Sequence, residues 1–248
     1  MRTFVVCCSL LLGPVSVLAQ SHPEMVAEVS VTTPKTGMTA QWETGRKQHS
    51  AFHASQKDIW NIFVWEIMTG ERSGSYVSVS PGHHWSDLDA RQAFDKLDGP
   101  DVAKNILPYS TSTTLSYAVL RDDLSLTKPP ATPAPLRSVT YYSVIPAHVN
   151  DFTDAVKKIN AGIQKTNWPA KPSRWAQLAY SGESPSFAQI VDRATWADLE
   201  PPEKTLTDAL KEAYGDDGPK LLDQVRHSCS KIYSELQVYR ADLSYVAK

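Results

Sequence analysis

The chain has 248 residues, a formal net charge of −2 and 42% hydrophobic residues, enough for two cores of ordinary domain size. Neither a net positive charge nor a basic cluster is present to neutralise phosphates, which argues against nucleic acid and anionic lipid surfaces as partners. Of the three cysteines two fall in the N-terminal apolar run, so Cys229 has no partner for an internal disulfide and the core must hold the fold unaided.

Residues 1–19 carry one basic residue, Arg2, then an apolar run from Phe4 to Leu12, and end in Val17-Leu18-Ala19 before Gln20. This is the pattern of a secretory signal peptide, with an exported chain, periplasmic or extracellular, as the expectation. No other apolar run approaches a spanning length, so no membrane association is expected after cleavage.

Val26–Val31 reads as a strand by its β-branched alternation, and Pro34 and Gly37 punctuate a turn. Met38, Trp42, Gly45, His49 and Phe52 then lie on one face of a helix. Strands are expected at 60–68 and 76–80 around a hairpin containing Gly70, followed by helix from Trp85 to about Ile106 and a strand at 115–121. The prolines of 127–137 form an extended spacer. Beyond it come a strand at 139–145, a helix from Val149 to Gln164 and strands at 174–180 and 187–191. Two helices opened by Pro202 and Pro219 follow, the second carrying Cys229 and Ile232 on its apolar stripe, and the last strand is 236–240.

The second half repeats the first. Trp85-Ser86-Asp87-Leu88 returns 111 residues later as Trp196-Ala197-Asp198-Leu199, and Arg121-Asp122-Asp123-Leu124-Ser125 returns 119 residues later as Arg240-Ala241-Asp242-Leu243-Ser244. Each copy is ordered strand, helix, strand, strand, helix, strand, giving an α+β chain of two tandem ferredoxin-like (βαββαβ) domains, 25–126 and 138–246. In the last strands Leu115, Tyr117, Val119, Leu236 and Val238 belong under the helices, and the other set, Thr114, Ser116 and Ala118 with Glu235, Gln237 and Tyr239, points into the space between the sheets.

Aligning Trp42 with Phe152 sets His49 opposite Ile159 and His53 opposite Ile163. Two imidazoles at i and i+4 can present both rings to one metal ion, or one ring to a haem iron or substrate; the simpler alternative is a satisfied, half-buried His49 with His53 at the helix end in water. No third ligand can be placed, so no metal is assigned. His49, His53, Trp42 and Trp65 are the ligand-binding candidates, with Trp65 and Trp175 expected on one sheet face by their spacing from Gly70 and Gly182. Trp85 and Trp196 are expected to anchor the second helix of each copy, and Arg121 and Arg240 to close turns with the aspartates that follow. No phosphate loop, nucleophile elbow, His-Glu-x-x-His or Cys-x-x-Cys is present.

The tandem arrangement, with an aromatic-bearing first helix and a Trp-x-Asp-Leu opening to the second, resembles the dimeric α+β barrel superfamily. That group includes NIPSNAP-like proteins, antibiotic-biosynthesis monooxygenases, haem-degrading enzymes and chlorite dismutases. The resemblance implies an intrachain barrel with pockets between sheet and helix and, as in some members, haem, but no haem-ligating histidine can be carried over. Three functions stay open: a small-molecule binder without cofactor, an oxidative enzyme that is haem-dependent or cofactor-free, and an interaction module without ligand. Whether the chain is an enzyme, and whether it forms oligomers, is left open by the sequence.

Overall fold

The computed structural model describes residues 25–182 and 185–248; the expected signal peptide and the hairpin residue Glu183 lie outside the described residues. The described residues form eight strands: β1 (Val26–Pro34), β2 (Phe63–Ile67), β3 (Tyr76–His83), β4 (Ser110–Leu120), β5 (Leu136–Val144), β6 (Ser173–Ala179), β7 (Ser186–Arg193) and β8 (Cys229–Tyr239). The helices are α1 (Thr39–Ser55), α2 (Trp85–Asn105), α3 (Val149–Lys165), α4 (Leu206–Tyr214) and α5 (Lys220–His227). Among the described residues no helix is long and apolar enough to cross a membrane.

The strands close into one antiparallel barrel in the order β1-β3-β2-β8-β5-β7-β6-β4. Each half contributes a four-stranded ferredoxin-like sheet. The two sheets are sewn together at two equivalent seams, β2 to β8 with Trp65 opposite Tyr239, and β4 to β6 with Leu120 opposite Ala176. Closure removes the free edges that each sheet would otherwise expose. The duplication thus supplies, on one chain, the partner that a single ferredoxin-like sheet lacks.

Strand alternation sorts residues between the barrel interior and the face beneath the helices. Inside, Ala27, Ala118 and Ala176 pack with Val29, Val79, Leu120, Leu178 and Ile190. The expected inward set of the last strand does point inward, and its polar members are matched there. Arg137 is buried and donates to Gln237 at 2.8 Å, Gln237 donates to Glu235 at 3.2 Å, and Arg72 makes a bidentate pair with Glu235 at 2.7 and 2.8 Å. Beneath the helices of the second half lie Phe152 and Val156 of α3 against Val144, Trp175 and Phe187. Trp42 of α1 with Val64, Tyr76, Ile106 and Leu243 forms the corresponding cluster in the first half.

Several elements differ from the sequence reading. Trp60 precedes β2 rather than opening it, and stacks on His83 with ring centroids 3.6 Å apart. Strand β5 starts at Leu136, within the stretch read as linker. The second Trp-x-Asp-Leu does form its cap, with Asp198 accepting from the Thr195 amide at 3.1 Å, yet it makes a single 3-10 turn, Trp196–Leu199. Pro201 and Pro202 cannot continue a helix from there, so Trp196 is 58% exposed and anchors nothing, whereas Trp85 packs edge-on against Tyr117. Helix α5 ends at His227, and Cys229 and Ile232 belong to β8, where pairing with β5 overrides a spacing that suited either element.

The repeated arginines close turns, as expected. Arg121 holds Asp123 at 2.8 and 2.9 Å, and Arg240 holds Asp242 at 3.0 Å through two nitrogens while also reaching Glu66 at 2.9 Å. These hydrogen bonds hold both aspartates at about 2. Because the folded values are depressed, the stability they contribute is present above the unfolded value of about 4 and is lost as pH falls toward about 2. Arg121→Met with Arg240→Met should therefore flatten the loss of stability between those limits, read by urea unfolding at a series of pH values; an unchanged slope would contradict the assignment.

Candidate functional site

Helix α1 turns Trp42, Gly45, Arg46, His49 and His53 toward the interior, the i, i+3, i+4 spacing of one face. Helix α2 lies against it so closely that a Cβ on Gly45 would fall 1.8 Å from the Asn105 carbonyl oxygen. That approach brings the carboxylates of α2 to the histidines of α1. His49 Nδ1 lies 2.7 Å from Asp101 Oδ1, and His53 Nδ1 lies 2.7 Å from Asp58 Oδ2 in the loop after α1. Asp58 also accepts from the Trp60 amide at 3.1 Å and from both terminal nitrogens of Arg91, which in turn covers the rings of Trp60 and Phe94.

The opposite ring nitrogens converge. His49 Nε2 and His53 Nε2 are 3.1 Å apart, and Asp98 Oδ1 lies 3.7 Å from the first and 3.4 Å from the second. Asp98 Oδ1 is buried and has no hydrogen-bond partner. Burial, with the Arg46 charge beside it, presses His49 down to about 3 despite its bond to Asp101, and burial likewise lowers His53. Burial raises the Asp98 carboxyl to about 6, against the pull of Arg91 and Arg46. These side chains can hold a cation.

Of the four candidates named from sequence, His49 and His53 meet and the tryptophans stand apart. Trp42 stacks on Tyr76 at 4.2 Å, two turns earlier in α1, as part of the core. Trp65 lies on the barrel-interior face of β2, with the Arg137 guanidinium 3.5 Å above its ring. The sheet therefore separates Trp65 from His49, and they share no cavity. Nor do Trp65 and Trp175 share a face: Trp175 points under the helices with Phe152. The two seams make Ala176 the counterpart of Trp65, and because Gly70 and Gly182 are offset by one residue more, counting from the glycines inverts the face.

A cavity of about 620 Å³ lies in the second half, between the sheet and helices α3 to α5. Its walls include Val156, Ile159 and Ile163 of α3, with Tyr142, Trp175 and Val225. Ile159 and Ile163 are the positions that His49 and His53 occupy in the first copy. There, α2 closes the space with Arg91, Asp98 and Asp101; here, a 3-10 turn and two short helices leave it open. Arg193 stands in the cavity wall, bonded to the Asp198 carbonyl through one terminal nitrogen, while its Nε is buried and unpartnered. Sequence reasoning missed this residue, along with Asp58, Asp98 and Asp101: the turn after α1 aims Asp58, and the packing of distant elements aims Asp98 and Asp101.

No protein-family model matches the chain, and no curated protein is significantly similar to it. Solved structures do match over most of its length. An anthrone oxidase-like protein superposes with a TM-score of 0.56 at 12% identity, over 87% of this chain and 91% of its own. A monooxygenase-like protein from Lactobacillus acidophilus gives 0.54 at 10% identity, over 91% and 97%. A chlorite dismutase variant from Candidatus Nitrospira defluvii, crystallised with cyanide, gives 0.54 at 9% identity, over 88% and 92%. With two ferredoxin-like sheets closed into one barrel and helices outside, the chain has a dimeric α+β barrel fold, both halves carried on a single polypeptide.

Proposed function

We propose that this is an exported protein that binds a small, largely apolar molecule carrying an anionic or carbonyl oxygen, in the cavity between the second-half sheet and helices α3 to α5. The observation that carries the reading is a cavity walled mainly by aliphatic and aromatic side chains, with the buried, unpartnered Nε of Arg193 in its wall. Pockets of this size with few polar anchors are the usual form of small-molecule sites. The Arg193 guanidinium in the lining supplies the positive charge that an anionic or carbonyl oxygen would meet. The leader pattern of residues 1–19 supports export.

Haem, which the resemblance brings into view, does not fit this cavity. Its lining, among the described residues, contains no histidine, cysteine or methionine. The Tyr142 hydroxyl donates to Gln189, and burial pushes it up to about 12, so it offers no phenolate. The histidines of the first half fare no better as haem ligands: their Nε2 atoms face each other at 3.1 Å, with the buried Asp98 Oδ1 3.4 Å from that of His53, so neither nitrogen faces a space that would admit a macrocycle. The oxidative alternative, favoured by the oxidase and monooxygenase descriptions of the structural neighbours, would be a cofactor-free reaction of the molecule bound here.

Thermal-shift measurements with a series of medium-chain carboxylates and the matching alcohols test the proposal. Carboxylates should raise the melting temperature in a concentration-dependent way, as any ligand selective for the folded state does. Arg193→Met should remove the preference for carboxylate over alcohol, and Ile159→Trp, which fills the cavity, should remove both responses. Shifts of equal size in the parent and in Ile159→Trp would place binding elsewhere.

A further inference from the structure

We infer that His49, His53 and Asp98 bind one divalent first-row transition-metal ion, in a site separate from the ligand cavity of the second half. The argument begins with protons. Each Nδ1 faces a carboxylate, Asp101 for His49 and Asp58 for His53, both at 2.7 Å. Those contacts favour the tautomer with the proton on Nδ1, which leaves each Nε2 as a lone pair. Two lone pairs 3.1 Å apart, together with the unpartnered oxygen of Asp98, then converge with no donor among them. A cation satisfies all three.

The spacing suits coordination. With metal–ligand bonds of about 2.0–2.2 Å, neighbouring ligand atoms in tetrahedral or octahedral sites lie roughly 2.9–3.5 Å apart. The three separations here are 3.1, 3.4 and 3.7 Å, so only the Asp98 contact to His49 must shorten. The charge balance also suits a cation. Glu28, Asp58, Asp95, Asp98 and Asp101 gather beneath and along α2 against Arg46 and Arg91. The histidine side chains are 5% and 1% exposed and that of Asp98 25%, which gives the ion an entry from the α2 surface and leaves the remaining positions for water. Two imidazoles and one carboxylate are the donor set of zinc and of ferrous iron rather than of calcium or magnesium.

The two copies supply an internal control. The isoleucines at the equivalent α3 positions line an apolar cavity, so the imidazoles are no requirement of the fold. Asp58 and Asp101 are positioning residues, since they act on the ion only through the rings they orient.

Cobalt(II) is a direct probe. The full chain, stripped with a chelator and dialysed, should bind one Co(II) per molecule with visible d–d absorption, displaced by Zn(II). Asp98→Asn should weaken binding at least about tenfold, Asp101→Asn about 10–100-fold, and His49→Gln should abolish the absorption. Asp98 is partly exposed and near-isosteric with Asn, so Asp98→Asn, with its fold checked by circular dichroism, decides the matter if His49→Gln fails to fold. Absence of Co(II) absorption in the folded parent, or equal affinity in parent and Asp98→Asn, overturns the proposal and leaves a proton-sharing histidine pair.

Discussion

Asp58→Ala is expected to lower the free energy of unfolding by about 3–5 kcal/mol, the cost of breaking a buried ion pair from one side. The Asp58 side chain is 1% exposed, and its two oxygens meet His53, Arg91 and the Trp60 amide. Alanine removes every one of those acceptors at once. Arg91, 10% exposed and held between the rings of Trp60 and Phe94, would keep its charge with its nearest ion pair at Asp95, 3.5 Å away and well exposed, and with Glu28 and Asp98 acting only through longer-range attraction. Arg91→Met in the Asp58→Ala background should recover part of the loss, because it removes the stranded charge and keeps apolar contact with the rings. Urea unfolding of the two single variants and the double variant measures the cycle. A loss below about 1 kcal/mol for Asp58→Ala would mean that solvent reaches Arg91 far more readily than its burial indicates.

Gly45→Ala should also destabilise strongly, by about 3 kcal/mol, at the upper end of overpacking costs. The added carbon would sit 1.8 Å from a backbone carbonyl of α2, which no rotamer change can relieve, so the two helices must separate. Separation also draws Asp101 and Asp98 away from the histidines, and any Co(II) affinity should fall with stability. Gly99 in α2 provides the contrast: a Cβ there meets nothing within 4 Å, and Gly99→Ala should stay within about 1 kcal/mol of the parent. Comparable losses in the two variants would show that helix packing is not what makes Gly45 necessary.

Much of the architecture was legible because the chain was duplicated. The Trp-x-Asp-Leu and Arg-x-Asp-Leu-Ser repeats mark equivalent points in the two halves, and alternation sorted Glu235 and Gln237 to the interior correctly. The same comparison marked His49 and His53 as departures from an apolar stripe. Alternation failed at Trp65 and Trp175, where one residue of difference between hairpins reverses the face, and helical spacing failed at Cys229 and Ile232, where a strand partner decided the element.

By itself, then, the sequence determined the order of elements, the two-fold repetition and the helix face on which two histidines replace isoleucines. These depend on local periodicity and on comparison within the chain. What surrounds that face was decided by tertiary structure alone. Asp98 and Asp101 sit on a long helix with many exposed polar residues, and nothing local says which of its carboxylates turn inward; the close approach at Gly45 does. Likewise Ile159 and Ile163 read as core, and only the replacement of a long covering helix by a turn and two short helices leaves the space before them open. Both sites arise from what a second helix does or fails to do above the same kind of sheet, a long-range packing outcome that no window of sequence contains.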